Sequence, residues 1–231
     1  MRVEIWSDVV CPWCYIGKRR FETAIAGFEH GDQVEVLWRS FELDPRAAQQ
    51  AEGDPAERLA AKYGMTVERA RAAQAHVTAT AAVEGLVFRF DQSKGGNTFD
   101  AHRLLHLAAD RCRQDEVKER LMAGYFTEGE AIGDRETLIR LVSQAGIDAE
   151  EARAVIEGDK YADAVRDDER AAQEAGANAV PFFLIDRRYA IEGAQPAEVL
   201  LEALRQAWSE SRPVVVEGAA DVSCDGDSCA V

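Results

Sequence analysis

The residues best suited to chemistry are two cysteines separated by two positions, Cys11 and Cys14. A strand-like run, Val3–Trp6, precedes them and a helix-like stretch, 14–28, follows, so Cys11 falls where a helix begins. A helix N-terminus stabilises a thiolate through its partial positive charge and free N–H groups, and Pro12 suits a first helical turn. The spacing predicts a redox dithiol, in which one thiolate attacks a disulfide and the other thiol resolves the product. A structural disulfide or half of a metal site are the alternatives.

One of the two residues between the cysteines affects the strength of this dithiol as an oxidant. Trp13 stands where a histidine would stabilise the thiolate by a hydrogen bond or by its charge. An indole shapes a substrate surface but carries no cation. We therefore expect the redox couple to lie towards the reducing or isomerising side rather than with committed oxidants.

A second cysteine pair, Cys224 and Cys229, brackets four turn-prone residues in an acidic C-terminal segment. We expect it to act as a second redox pair that exchanges electrons with Cys11 and Cys14, because the segment is long enough to reach them. Incidental thiols are one alternative. A zinc site of four thiolates is the other, and we assign no metal site.

Composition restricts the partners and the location of the protein. The 231 residues carry a formal net charge of −15, which repels phosphate backbones, so we expect no nucleic-acid partner. No apolar leader precedes Cys11, and no apolar run is long enough to cross a bilayer. We therefore expect a cytoplasmic protein without membrane contact, in which disulfides are catalytic or transient. The sequence does not indicate an oligomeric state.

The periodicity of apolar residues predicts a βαβ opening, a helical middle and a ββα end. The opening elements are 3–7, 14–28 and 34–41, and the closing ones are 182–185, 189–191 and 196–209. Helices are predicted at 56–63, 66–84, 98–113, 115–127, 134–145, 149–157 and 160–175, with a β-like run at 86–90. We predict a first domain of residues 1–50 and 177–210, an inserted helical domain of residues 51–176, and a flexible acidic tail of residues 211–231.

Individual residues of the helical block have specific predicted roles. Asp148 and Glu151 indicate a capping box, and Gly146 and Gly176 indicate helix ends. Cys112 is predicted to be a buried, inert thiol on an apolar stripe. The other members of that stripe are Ala101, Leu104, Leu105 and Ala108.

The order of these elements, with the CxxC at the first strand–helix junction and a proline opening the third strand, resembles the thioredoxin fold. The helical insertion resembles the DsbA-like branch of that superfamily, and Ser7–Gly17 is similar to the cytoplasmic thiol oxidoreductases of the FrnE type. Other similar strings are Phe41-Glu42-Leu43 with Pro45, Asn97-Thr98 with Ala101-His102-Arg103, and Val180-Pro181-Phe182-Phe183. The resemblance implies an α/β thioredoxin fold with a large inserted all-helical domain.

The resemblance also implies roles for single residues. Cys11 is the attacking thiol, Cys14 is the resolving thiol, and Pro181 is a cis-proline beside them. The family tends to have glycine two residues before this proline, where this chain has Ala179. The groups that would contact substrate or support the site are Pro12, Trp13, Asp8, Val180, Asn97, His102 and Arg103.

Asp8, and the pair His102 and His106, each allow two interpretations. Asp8, three residues before Cys11, either moves protons to and from the thiols or caps the turn into the helix. His102 and His106 are four residues apart, a spacing that can bind metal. No partner completes a ligand set, so we interpret them as core or surface histidines.

The predicted function is that of a thiol–disulfide oxidoreductase or isomerase that acts on protein or small-molecule dithiols and disulfides. It requires no cofactor and exchanges with glutathione or other thiols. One alternative is a glutathione-dependent transferase of the kappa type or an enzyme similar to 2-hydroxychromene-2-carboxylate isomerase. Those enzymes rely on a single serine or cysteine at the position of Cys11, which the intact CxxC disfavours. The other alternative is a redox-regulated chaperone or binding protein.

Overall fold

A computed structural model of the chain describes residues 1–211. The predictions for the acidic tail, including those for Cys224 and Cys229, concern residues outside the described part of the chain. Within the described part, no helix combines the length and the apolar character that crossing a bilayer requires.

Within residues 1–211, the sheet has four strands in the order β2-β1-β3-β4. These are β1 (Arg2–Ser7), β2 (Glu35–Ser40), β3 (Phe182–Ile185) and β4 (Tyr189–Glu192). Strand β1 pairs in parallel with β2 and antiparallel with β3, so Ile5 is opposite both Trp38 and Phe183. The residues that follow β1, Asp8 to Cys14, lie beyond the carboxyl end of a central strand of the sheet.

Nine helices are described within residues 1–211, two of them belonging to the sheet-containing part. These two are α1 (Pro12–Ala26) and α9 (Ala197–Ser211). The others lie between β2 and β3: α2 (Pro55–Tyr63), α3 (Val67–Val83), α4 (Phe99–Asp110), α5 (Gln114–Phe126), α6 (Arg135–Gln144), α7 (Ala149–Glu157) and α8 (Ala162–Glu174). The predicted α/β class with a helical insertion is confirmed, and the domain boundaries stay a prediction.

Local capping chemistry accounts for several helix boundaries. Asp148 Oδ1 accepts hydrogen bonds from the backbone N–H groups of Glu150 and Glu151, both at 3.0 Å, and so fixes the start of α7. Gly146 and Gly176 follow α6 and α8 with φ of 90° and 80°, a left-handed conformation that glycine adopts without steric cost.

Two sequence expectations are wrong. Residues 86–90 form no strand; Leu86 and Phe88 are buried in an irregular segment, where the Phe88 ring stacks on Phe126 at 4.5 Å between centroids. Cys112 is exposed rather than buried. Helix α4 ends at Asp110, and Cys112 follows in a turn with φ of 54°, which takes its side chain off the apolar stripe.

The core beneath the dithiol is built by both parts of the chain. Trp6, Cys14 and Ile16 of the sheet-containing part pack in one cluster with Phe126 and Met122 of α5. A separate cluster on the opposite face joins the sheet to α1 and α9. The helical insertion therefore shares its apolar core with the strand that leads to the cysteines.

A buried carboxylate adds a polar connection between sheet and insertion. Asp168 of α8 is 5% exposed, and its Oδ2 accepts the backbone N–H of Ser40 at 2.8 Å. Its carboxylate also lies 3.2 Å from the Arg39 guanidinium and 3.2 Å from His106 Nε2, and its carbonyl accepts the Trp6 indole N–H at 2.7 Å. This network joins α8 and α4 to strands β1 and β2.

Asp168→Ala should lower the free energy of unfolding by about 2 kcal/mol, because it leaves the buried Ser40 N–H without its acceptor and removes one of the two carboxylates that pair with Arg39. Denaturant unfolding followed by circular dichroism measures the loss. The neighbouring Asp167 is exposed and pairs with Arg170 on the same helix, so Asp167→Ala should leave the free energy of unfolding nearly unchanged. Equal losses in the two variants would contradict the role of the network.

Candidate active site

The CxxC motif forms the N-terminus of α1. Cys11 is the N-cap residue with extended backbone angles, Pro12 begins the helix, and Cys11 Sγ accepts the Cys14 backbone N–H at 3.3 Å. Both cysteines are free thiols; Cys11 is 4% exposed and Cys14 has no exposure. Trp13, between them, is 37% exposed. The motif therefore offers one thiol at the surface edge and one thiol beneath it.

The segment before β3 lies directly against Cys11. The Val180–Pro181 peptide bond is cis, the geometry that the resemblance implied. The Cys11 thiol lies 3.7 Å from the carbonyl oxygen of Val180, to which it donates. Gly17 of α1 makes this approach feasible, because a Cβ atom there would lie 2.7 Å from Pro181 Cγ. Helix α1 thus begins at the Cys11 thiol and also contains the glycine that leaves room for Pro181.

Burial governs the ionisation of Cys14. Desolvation raises the pKa of the Cys14 thiol well above its usual value, and the hydrogen bond and charge of Cys11 add to the rise. The Asp8 backbone N–H and the Lys118 charge act in the opposite direction. Cys14 is therefore a protonated thiol at neutral pH that needs a proton acceptor before it can attack.

Asp8 is 1% exposed, and both of its carboxylate oxygens have partners. Oδ2 accepts the Leu43 backbone N–H at 2.8 Å, and Oδ1 lies 3.2 Å from His102 Nε2. Burial by itself would raise the pKa of Asp8, but these two hydrogen bonds and the charges of His102 and Lys118 hold that pKa below its usual value. Asp8 is therefore an anion at neutral pH. Its side chain bonds to the segment after β2 and to α4, whereas its carbonyl accepts the Cys11 backbone N–H.

Glu42 joins the same polar region from the segment after β2. Its carboxylate is buried and accepts a hydrogen bond from Arg166 of α8 at 2.5 Å. Burial raises the pKa of Glu42 despite Arg166 and the charge of His102. Three segments that are far apart in the sequence thus meet in one polar region. They are the segments around Asp8, Glu42 and His102.

Two predicted site residues make structural contacts elsewhere. The Arg103 guanidinium donates to the carbonyl oxygens of Val155, Gly158 and Lys160 at the C-terminal end of α7, and to Asp100. Asn97 Oδ1 accepts the backbone N–H of Phe99 at 2.9 Å, and its amide donates to the 45–47 segment. The contacts of both side chains are with helix ends and loops, so the structure does not bring these residues to the thiols.

His102 and His106 also differ in their surroundings. His102 is fully buried against Asp8, whereas His106 Nε2 lies 3.1 Å from Ser40 Oγ and 3.2 Å from Asp168. Among residues 1–211, no group of three or more histidine, cysteine or acidic side chains is arranged to hold a metal ion.

Lys118 of α5 is a member of the site that sequence reasoning missed. It is fully buried, donates a hydrogen bond to the Ser7 carbonyl at 3.2 Å, and lies 5.4 Å from the Trp38 ring centroid. A signal was present, because Leu121 and Met122, three and four residues later, place Lys118 on an apolar helix face. A lysine on such a face is rarely buried without a specific partner.

Comparison with known proteins gives consistent matches over nearly the whole chain. The family profile described as a DSBA-like thioredoxin domain matches residues 2–205. The crystal structure of a probable DsbA oxidoreductase from Streptomyces coelicolor is 50% identical, with a TM-score of 0.88 over 100% of this chain and 99% of that one. The uncharacterised protein YwbO of Bacillus subtilis is 29% identical over 216 residues, covering 88% of this chain and 96% of YwbO. A cytosolic disulfide reductase, DsbM from Pseudomonas aeruginosa with glutathione, is 16% identical and shares the fold, with a TM-score of 0.65 over 90% of this chain and 100% of that one.

The carboxylate of Asp8 should stabilise the folded state in a pH-dependent manner. Because the pKa of Asp8 is lower in the folded than in the unfolded chain, its contribution is complete above the unfolded value of about 3.9 and is lost as the pH falls through the folded value. Asp8→Asn should therefore be less stable than the parent at neutral pH, and the difference should shrink below about pH 4. Urea unfolding at a series of pH values measures it.

The matched control for this prediction is Asp44→Asn, because Asp44 is exposed in a turn. A stability difference between Asp8→Asn and the parent that stays constant into acid would contradict the assignment of an ionised, hydrogen-bonded carboxylate to Asp8.

Proposed function

Since the chain belongs to the DSBA-like thioredoxin domain family, we propose that it is a thiol–disulfide oxidoreductase or isomerase whose active site is Cys11-Pro12-Trp13-Cys14. The observation that carries the proposal is the position of the Cys11 thiol, at the N-terminus of α1 and 3.7 Å from the carbonyl of Val180, next to Pro181. A helix N-terminus favours the thiolate, and the adjacent backbone offers a place for a substrate chain.

In the reducing direction, the Cys11 thiolate attacks one sulfur of a substrate disulfide. That bond breaks, the other substrate sulfur leaves as a thiolate, and a mixed disulfide joins Cys11 to the substrate. Cys14 then attacks Cys11 Sγ and releases the second substrate sulfur. The substrate gains two electrons and the dithiol becomes the Cys11–Cys14 disulfide, which a cellular thiol such as glutathione reduces again. In the oxidising direction the same steps run in reverse.

The surface beside Cys11 supports a disulfide- or dithiol-containing substrate. The exposed Trp13 ring, which faces His76 of α3 at 6.5 Å between centroids, forms an apolar edge beside the thiol. Leu43, 37% exposed, is a further apolar side chain on the surface of the segment after β2. Val180 and Pro181 supply the backbone on the other side. These features suit an extended protein segment or a small disulfide.

The remaining features of the proposal follow from the sequence. The enzyme works in the cytoplasm without a bound cofactor, and its redox couple lies towards the reducing or isomerising side because Trp13 adds no cation. Cys224 and Cys229 act as a second redox pair that exchanges with the active-site dithiol. Redox titration of the parent and of the Cys224→Ser/Cys229→Ser variant, with disulfides mapped at each step, tests the position of the redox couple and the exchange between the two cysteine pairs.

Cys11→Ser should abolish disulfide exchange, because it removes the attacking thiolate, whereas Cys14→Ser should accumulate a mixed disulfide through Cys11. Insulin reduction and non-reducing electrophoresis after incubation with a model disulfide measure the two effects. Cys112 is exposed and lies in the turn after α4, outside the CxxC motif, so Cys112→Ser should retain exchange activity.

Other outcomes would favour a different function. Exchange activity that survives in Cys11→Ser contradicts the assignment of the nucleophile. Tight glutathione binding, with turnover that survives Cys14→Ser, would favour a glutathione-dependent transferase or isomerase. Suppression of aggregation that persists without either active-site thiol would favour a chaperone.

A further inference from the structure

Gly17 lies in the interior of α1, where glycine is the least favourable residue apart from proline. It is buried, and a Cβ atom there would lie 2.7 Å from Pro181 Cγ and 3.5 Å from Pro181 Cβ. A proline ring is closed onto its own backbone and cannot turn aside. A side chain at position 17 would therefore displace either the Val180–Pro181 segment or α1 itself.

Arg20, one helical turn after Gly17, holds the neighbouring part of the chain to α1. Its Nη1 donates to the carbonyl oxygen of Ala194 at 2.6 Å, and its Nε donates to Glu84 Oε1 at 2.6 Å. Both side chains of this salt bridge are largely buried, so the position of the guanidinium is fixed. Gly193, the residue before Ala194, donates its backbone N–H to the carbonyl of the proline at 2.8 Å. Arg20 is thus connected to that proline through two consecutive residues of the segment after β4.

These contacts form a closed path that begins and ends on α1. Cys11, the N-cap residue of the helix, donates to the Val180 carbonyl, and Gly17 leaves room for the next residue, Pro181. Ala194 packs against the apolar cluster that contains both Cys11 and Val180. Three positions of one helix, its N-cap, its buried glycine and its arginine, therefore determine how far the thiol lies from the backbone on which a substrate chain would bind.

On the basis of the proposed function, we propose that Gly17 and Arg20 are positioning residues that hold the Val180–Pro181 segment beside the Cys11 thiolate, and that they favour disulfides carried by an extended polypeptide over small disulfides. A polypeptide substrate lies along the backbone of this segment, so its sulfur reaches Cys11 only when the segment is in place. A small aromatic disulfide has no peptide backbone to bind there. The two positioning residues therefore act on the reaction of one substrate class and not on that of the other.

Two chromogenic substrates with the same leaving group test this proposal in the full chain. One is dithiobis-nitrobenzoate, and the other is a short uncharged peptide whose single central cysteine is joined to thionitrobenzoate by a disulfide. The Cys11 thiolate forms a bond to one sulfur, the substrate disulfide breaks, and thionitrobenzoate leaves with the electron pair as a coloured thiolate. Cys112, Cys224 and Cys229 are replaced by serine in the parent and in every variant, so that only the active-site thiols react. Stopped-flow absorbance gives the second-order rate constant of the first phase for each substrate.

The ratio of the peptide rate constant to the dithiobis-nitrobenzoate rate constant is the decisive quantity, because a change in the acidity of Cys11 affects both reactions and cancels. Gly17→Ala should lower this ratio by about 10-fold, since it displaces the segment that only the peptide uses. Arg20→Met, which releases the Ala194 carbonyl without adding volume beside the proline, should lower the ratio as well. Gly27→Ala is the matched control, because Gly27 lies at the end of α1 and a Cβ atom there would make no contact closer than 3.5 Å. It should leave the ratio unchanged.

Each outcome decides one question. A parent whose Cys11 attacks neither substrate would refute the proposed function itself. An unchanged ratio in a folded Gly17→Ala or Arg20→Met variant would overturn the positioning role of that residue and leave the function standing. An equal fall of the ratio in Gly27→Ala would also overturn the proposal, because any disturbance of α1 would then have the same effect. Thermal unfolding of each variant identifies loss of fold, and Arg20→Met decides the question if Gly17→Ala does not fold.

Discussion

The Cys14 thiol is fully buried. Because ionising a buried sulfur requires free energy, Cys14 needs neighbouring groups that stabilise its thiolate. In a medium of low polarity an isolated thiolate is unfavourable by several kcal/mol. The structure offsets part of this cost from separate elements, with the Asp8 backbone N–H and the Lys118 charge. The last of these belongs to α5, in the helical insertion. The insertion is therefore part of the electrostatic environment of the dithiol, as well as a wall beside it.

The polar groups below the dithiol form a set that only the folded chain can assemble. Asp8 follows β1, Glu42 follows β2, His102 lies on α4 and Lys118 on α5. Each is buried, and Asp8 and Glu42 are held by hydrogen bonds to groups from other elements. A buried hydrogen-bond network lowers the stability of the fold when a partner is missing, and it specifies one arrangement of the core when every partner is present. The same principle explains Arg103, which satisfies carbonyl groups at the end of α7 instead of facing the thiols.

The elements of the fold were predictable because their signals are local. Caps such as Asp148, glycines such as Gly146 and the apolar period of the helices depend on residues within one or two turns. The CxxC motif was predictable for the same reason, since its position at a strand–helix junction is visible in a short segment. The 86–90 run was misjudged because β-branched and aromatic residues indicate burial on a strand or in an irregular segment equally well. The prediction for Cys112 was wrong because α4 ends at Asp110, so Cys112 lies in a turn and not on the apolar face of the helix.

The partners of the dithiol were not predictable to the same extent, because they depend on contacts between distant positions. Nothing near Lys118 in the sequence indicates that its amine lies by residue 7, and nothing near Asp8 indicates His102 as its partner. The resemblance drew attention to His102 and Arg103 together. Only the structure separates the histidine beneath the active site from the arginine that holds α7.

The apolar cluster that Trp6, Cys14 and Ile16 share with Met122 and Phe126 has a consequence for substitutions in the inserted helices. Because side chains of the sheet-containing part and of α5 pack in one cluster, a change in the packing of α5 changes the solvent exposure of the Cys14 sulfur. Burial is what raises the pKa of that thiol. A substitution more than one hundred residues away from the CxxC motif in the sequence therefore acts on the redox chemistry of the dithiol through the burial of its second sulfur.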